Sequence, residues 1–155
     1  MIVFIDSGVL GLLANPNKLG EASDCEQWLY RLFSQGVYIC SSDLCDYEVR
    51  RNLILESHKK PHLNSINSLD ELRELIVFFP ISPLLLTRAS SLWAKARIQG
   101  IPTADNKTLD IDIIICGHWQ MLKEEFPSRY IVIATTNVKH LSRFAEARLW
   151  REISL

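Results

Sequence analysis

The sequence predicts an α/β fold: a three-layer α/β/α sandwich around a mostly parallel sheet, Rossmann-like in plan. Three observations predict it. Short apolar runs at residues 2–5, 76–79 and 130–134 lack polar alternation, as expected of strands covered on both faces. Segments with apolar residues at three-four spacing separate them, an order that gives parallel strands with right-handed crossovers. The chain has 155 residues and is 48% apolar, which suits one domain, 1–155, with its own core.

The first strand, 2–5, runs directly into Asp6-Ser7-Gly8. A short helix is expected over 9–14. A stronger one covers 22–33, where Cys25, Trp28, Leu29, Leu32 and Phe33 share a face. Gly36 closes it at a position where a left-handed residue is often needed. A second strand follows at 37–40, and Ser41-Ser42-Asp43 offers caps for a helix over 44–57. After a polar break at 61–67, a short helix is expected at 68–75 and a third strand at 76–79. The next helix covers 84–99 and is closed by Gly100. Residues 101–107 read as a loop, 108–125 as a helix, and 130–134 as the fourth strand, followed by Thr135-Thr136-Asn137. The tail, 147–153, adds a short edge strand carrying Trp150. Trp93 and Trp119 fall at helical core positions and read as packing. No repeat, low-complexity stretch or linker interrupts the chain.

Charge and cysteine usage exclude several classes. With 17 basic and 18 acidic residues, the net charge of -1 gives no global field for nucleic acid. A nucleic-acid site must be local, or must use a metal to offset phosphate charge. The four cysteines, Cys25, Cys40, Cys45 and Cys116, form no C-x-x-C pair and read as reduced, buried thiols. The N-terminal apolar run is short and unflanked by basic residues, and the region 76–86 is broken by Pro80 and Pro83. A cytoplasmic protein without a membrane span is expected.

Ligands of open α/β sheets collect beyond the carboxyl ends of the strands. Asp6 follows the first strand and Asn137 the fourth. Asp6 is either a helix cap or a site carboxylate. In 109–116, positions 109, 112, 113 and 116 share a face, so Asp112 points toward Leu, Ile and Cys. A carboxylate so placed needs a metal, a cation or a raised pKa, and a buried salt bridge would also satisfy it. Asp110, near the helix start, is either a solvated acid favoured by the helix dipole or a metal ligand. Glu48 shares a face with Leu44 and Leu55, but Arg51 three residues on offers a surface ion pair. Spacing alone does not single Glu48 out. Oxygen ligands without His or Cys favour a hard cation, Mg²⁺ or Mn²⁺, a site suited to phosphodiester hydrolysis.

Four segments in order resemble a known family. They are Ile2-Val3-Phe4-Ile5-Asp6-Ser7, Glu48 on the helix after strand two, the run from Leu109 through Asp112 to His118, and Ile131 through Asn137, continued to Phe144. Together they resemble the PIN-domain nucleases, especially the VapC-type toxins of bacterial toxin–antitoxin pairs. The resemblance implies a metal-dependent endoribonuclease, with Asp6, Glu48, Asp112 and Asn137 at the catalytic site and Ser7, Thr135 and Thr136 in support. It implies an RNA substrate, an antitoxin partner and a possible homodimer. Asn137 departs from the acid common at the fourth position, so it keeps a carbonyl but loses a charge. His140, where many relatives carry an acid, reads as a surface residue at a helix start. Arg50, Arg51, Lys59 and Lys60, with His58 and His62, are either RNA-backbone contacts or a solvated cluster. Two other classes compete: a non-catalytic module of the same fold that binds RNA or protein, and a phospho-accepting receiver domain, which wants an acidic pair where this chain has Asp6-Ser7.

Overall fold

The structure, a computed structural model, describes residues 1–59, 65–103, 105 and 110–155. Its elements are β1 (Ile2–Ile5), α1 (Ser7–Leu13), α2 (Glu21–Ser34), β2 (Tyr38–Ser42), α3 (Asp43–Lys59), α4 (Ser65–Leu75) and β3 (Val77–Phe79), then α5 (Pro83–Ile98), α6 (Ile111–Glu125), β4 (Ile131–Thr135), α7 (Val138–Leu141) and β5 (Ala147–Leu149). The strands form one parallel sheet in the order β3-β2-β1-β4-β5. β1 and β4 are its buried centre, and every residue of both is covered. That burial is why these strands read as unbroken apolar runs. α1 packs against α2, α3 and α4, while α5 packs against α6 and α6 against α7. The expected α/β/α sandwich is the observed fold.

Local chemistry sets the element ends. Ser82 Oγ accepts from Leu85 N at 3.1 Å and Pro83 opens α5, where its missing N–H costs nothing. Gly36 takes φ 71° after α2, as the sequence predicted. Trp28 on α2 donates from Nε1 to Ile153 O at 2.9 Å and packs edge-on against Trp150, which ties the C-terminal tail down. The four cysteines are free and buried. No helix among the described residues is long and apolar enough to cross a membrane.

Three expectations need correction. Ser41 and Ser42 lie inside β2, not in a helix cap alone: Ser41 Oγ donates to Ile5 O at 2.8 Å, so a neighbouring strand satisfies the buried hydroxyl. Helix α6 begins at Ile111, because Asp110 has non-helical angles and caps it; Thr108 and Leu109 lie outside the described residues. The tail pairs only over Ala147–Leu149 before Trp150–Glu152 turn as a 3₁₀ segment.

Candidate active site

Asp6 leaves the carboxyl end of the central strand β1 and is buried. Its Oδ1 accepts from Val9 N at 2.9 Å, capping α1. Its Oδ2 accepts from Thr135 Oγ1 at 2.5 Å, which ties it to the end of β4. Thr135 Oγ1 in turn accepts from Asn137 N at 2.9 Å. Burial pushes the Asp6 carboxyl up to about 6, against the lowering effect of its hydrogen bonds; the nearby Asp112 adds to the rise. Asp6 therefore caps a helix and is at the same time an electrostatically costly acid at a strand end.

Asp6, Glu48 and Asp112 line one cavity of about 450 Å³ together with Ser7, Gly8 and Asn52. α3 carries Glu48 to it and the first turn of α6 carries Asp112. Glu48 Oε1 stands 3.7 Å from Arg51 Nη2, a loose pair at a half-exposed site. Burial raises the Asp112 carboxyl, His140 pulls it down, and Asp110 and Glu48 push it up. His140 Nδ1 lies 3.1 Å from Asp112 Oδ2. So His140 is not merely a surface helix-start residue: it partners a cleft acid across 28 positions of sequence, a contact that periodicity does not report. Ser7 Oγ is buried without a well-formed hydrogen bond, with the Cys45 thiol as its polar neighbour. Thr136 is exposed, and its Oγ1 would stand 2.3 Å from a Cβ placed on Gly8, so the end of β4 packs directly on the start of α1.

The other sequence candidates sit elsewhere. Asp110 is buried as the cap of α6, with one oxygen accepting from Ile113 N at 3.2 Å and the other from the Thr103 hydroxyl. It is thus neither solvated nor among the residues lining the cleft. Asn137 is exposed and caps α7, accepting from Lys139 N at 3.3 Å, also outside that lining. Arg50 binds both oxygens of Asp46 at 2.9 Å and Asp70 at 2.7 Å, so it clamps α3 to α4. Arg51 lies 5.5 Å from the Tyr47 ring, and Lys59 pairs with Glu56 at 3.3 Å. Lys60 and His62 lie outside the described residues. A cavity of about 570 Å³ between α2 and the tail and an apolar one of about 710 Å³ between α5 and α6 are larger than the acidic cleft, but neither opens at a strand's carboxyl end.

The donor set fits a hard cation. It offers carboxylates, a buried hydroxyl with no firm partner, and no thiolate. Among the described residues no three His, Cys, Asp or Glu side chains form a ready-made metal cage. Mg²⁺ is ordinarily bound by one or two carboxylates with waters and substrate phosphate completing its shell, so an open acidic cleft suits it better than a closed cage would.

The structure is similar to a chain of VapBC2 from Rickettsia felis, solved bound to a DNA fragment from their promoter, with 18% identity and a TM-score of 0.70 over 97% of this chain and 99% of that one. It is also similar to a chain of VapBC-1 from nontypeable Haemophilus influenzae, with 19% identity and a TM-score of 0.64 over 98% of this chain and 100% of that one. These likenesses show that the fold is of the VapC-type PIN-domain kind. No family model matches the chain, and no curated protein matches it.

Proposed function

We propose that the chain is a divalent-metal-dependent endoribonuclease, and the toxin of a toxin–antitoxin pair. One observation carries the activity: Asp6, Glu48 and Asp112, from three elements of a PIN-type fold, line a single cavity at the carboxyl end of the sheet. Asp6, Glu48 and Asp112 would hold Mg²⁺ or Mn²⁺. A bound cation would supply charge neutralisation at an RNA phosphate and activation of water. Val9 N and Thr135 Oγ1 fix the Asp6 carboxylate in orientation, and His140 fixes one oxygen of Asp112. Asn52 lines the same cavity and offers an amide to the substrate. The similarity to chains of VapBC assemblies supports an antitoxin as protein partner; a second copy of the chain is a further candidate partner.

The neutral Asn137, where the resemblance expects an acid, favours a second reading, a PIN-fold module that binds RNA or protein without cleaving. Incubating defined RNAs with the protein, with and without Mn²⁺ or Mg²⁺, separates the two. Cleavage that requires the cation and disappears in Asp6→Asn is the expected result. RNA left intact in every cation leaves only the binding module.

A further inference from the structure

We propose a second site on this chain, a subsite for single-stranded RNA formed by Lys95, Lys123 and Arg143 with the rings of Trp119, Tyr130 and Phe144. All six line one cavity of about 520 Å³, within the range of roughly 300–1,000 Å³ typical of ligand pockets. They come from four places: Lys95 from α5, Trp119 and Lys123 from α6, Tyr130 from the entrance to β4, and Arg143 with Phe144 from the connection between α7 and β5.

Charge is the first feature of this cavity. Several cations of the chain are neutralised: Arg50, Arg73, Arg88, Arg148 and Arg151 pair with acids. Among the described residues Lys95, Lys123 and Arg143 form no ion pair. Neither lysine has an acid three or four positions away on its helix. Arg143 donates to the carbonyls of Ile101 and Pro102 at 2.7 and 2.8 Å, which fixes its place without cancelling its charge. The acid lining this cavity, Glu146, already accepts from Tyr130 Oη and Arg148 Nε, both at 3.0 Å. Three cations without an acid partner thus stand together in one aromatic-walled hollow.

The walls suit a nucleotide. Trp119 Nε1 donates to Ile131 O at 2.9 Å, so the indole is held as a fixed surface. Tyr130 is 46% exposed and available to a base. Stacked bases on aromatic rings beside a basic groove is the general solution for single-stranded nucleic acid. Helix α6 connects the subsite to the acidic cleft. Asp112 lies in its first turn and Lys123 near its end, about 16 Å along the axis. α7 bridges the two sites, with His140 on Asp112 and Arg143 two residues beyond Leu141. An RNA strand passing over α7 would span the two sites. The identity of the ligand as RNA rests on the proposed ribonuclease function; the anionic, stacking character of the site does not.

The test is fluorescence anisotropy of an end-labelled single-stranded oligoribonucleotide in EDTA, where no cleavage is required. Lys95→Glu with Lys123→Glu should weaken binding at least tenfold and reduce the slope of log affinity against log salt by about 1.4, or 0.7 per phosphate contact. Tyr130→Ala should weaken binding about fivefold or more with the slope unchanged. Arg31→Glu on α2, remote from the cavity and carrying half that charge change, should match the parent. Thermal melts of each variant show that it is folded. No binding by the parent, or equal loss in Arg31→Glu and the lysine variants, overturns the subsite. A mononucleotide that competes at the same concentration as the oligomer overturns the RNA strand in favour of a free nucleotide. Lysine-dependent binding with no cleavage in Mn²⁺ leaves the subsite standing and removes the ribonuclease proposal.

Discussion

His140 illustrates how a single residue changes meaning once the chain is folded. In sequence it is a polar residue in a four-residue helix. In space its Nδ1 meets Asp112 Oδ2 at 3.1 Å, leaving the other carboxylate oxygen unencumbered by it. Partners that orient a ligating carboxylate typically change metal affinity by about 10- to 100-fold when removed. His140→Ala is therefore expected to weaken Mn²⁺ binding about tenfold in calorimetric titration, with its fold intact by circular dichroism. An unchanged affinity would mean that the imidazole only covers the acid. Glu48 is the opposite case. Its helix face and its neighbour Arg51 gave no ground to select it, and the family resemblance alone pointed to it. The cavity shows what spacing could not, that α3 turns this acid toward Asp6.

The strands and long helices were legible because their signals are local: both central strands are covered on every residue, and α2 buries Cys25, Trp28, Leu29 and Leu32 of the residues its spacing picked out, with Phe33 half-buried. Contacts between elements were not legible, and these decide the site. Gly8 shows why. Nothing in Asp-Ser-Gly reveals that Thr136 stands against it, with Oγ1 2.3 Å and both Cβ and Cγ2 3.3 Å from an added Cβ. Rotation can move Oγ1 away, but the Thr136 Cβ stays 3.3 Å from the added Cβ. Gly8→Ala should lower stability by about 1–3 kcal/mol, read as a reduced urea midpoint. It should also lower cleavage, since Asp6 is held by the same turn. A midpoint equal to the parent's would show that β4 and α1 can part freely. Asn137 is the matching case on α7. As a cap its replacement by Ala should cost about 1 kcal/mol. Lying outside the cleft lining, Asn137→Asp should leave the cation requirement of cleavage where the parent has it, and a shift to lower cation would place the residue at the metal after all.

At the scale of the whole molecule, two buried titratable groups act against each other. Burial pushes Asp6 up to about 6 from 3.8, and burial pushes His118 down to about 4 from 6.5. His118 lies in the core against Phe4 and Phe79, with Nε2 2.9 Å from Ser42 Oγ. That hydroxyl also accepts from Leu44 N at 3.1 Å, and the tautomer of the neutral imidazole sets which of the pair donates. The raised Asp6 contributes stability that is full below its unfolded pKa and is lost as pH rises through about 6. The depressed His118 works in the reverse sense: stability is full above 6.5 and is lost as pH falls toward 4. Between pH 4 and 6 the folded chain carries a proton on Asp6 and the unfolded chain carries one on His118. Proton counts match, so these two groups together give no slope. Each alone would give about 1.4 kcal/mol per pH unit. Removing one should expose the other. In EDTA, Asp6→Asn should lose stability relative to the parent as pH falls from 6 to 4, while being the more stable protein above pH 6, where the parent bears a buried charge. His118→Gln, whose amide can still pair with Ser42, should gain stability relative to the parent over the same fall in pH, whatever its packing costs at neutral pH. Urea midpoints at half-unit intervals read both slopes. Curves for Asp6→Asn and the parent that run parallel from pH 6 to 4 would show that Asp6 ionises in the fold as it does in the open chain, and its burial would then have no electrostatic consequence for a cation to relieve.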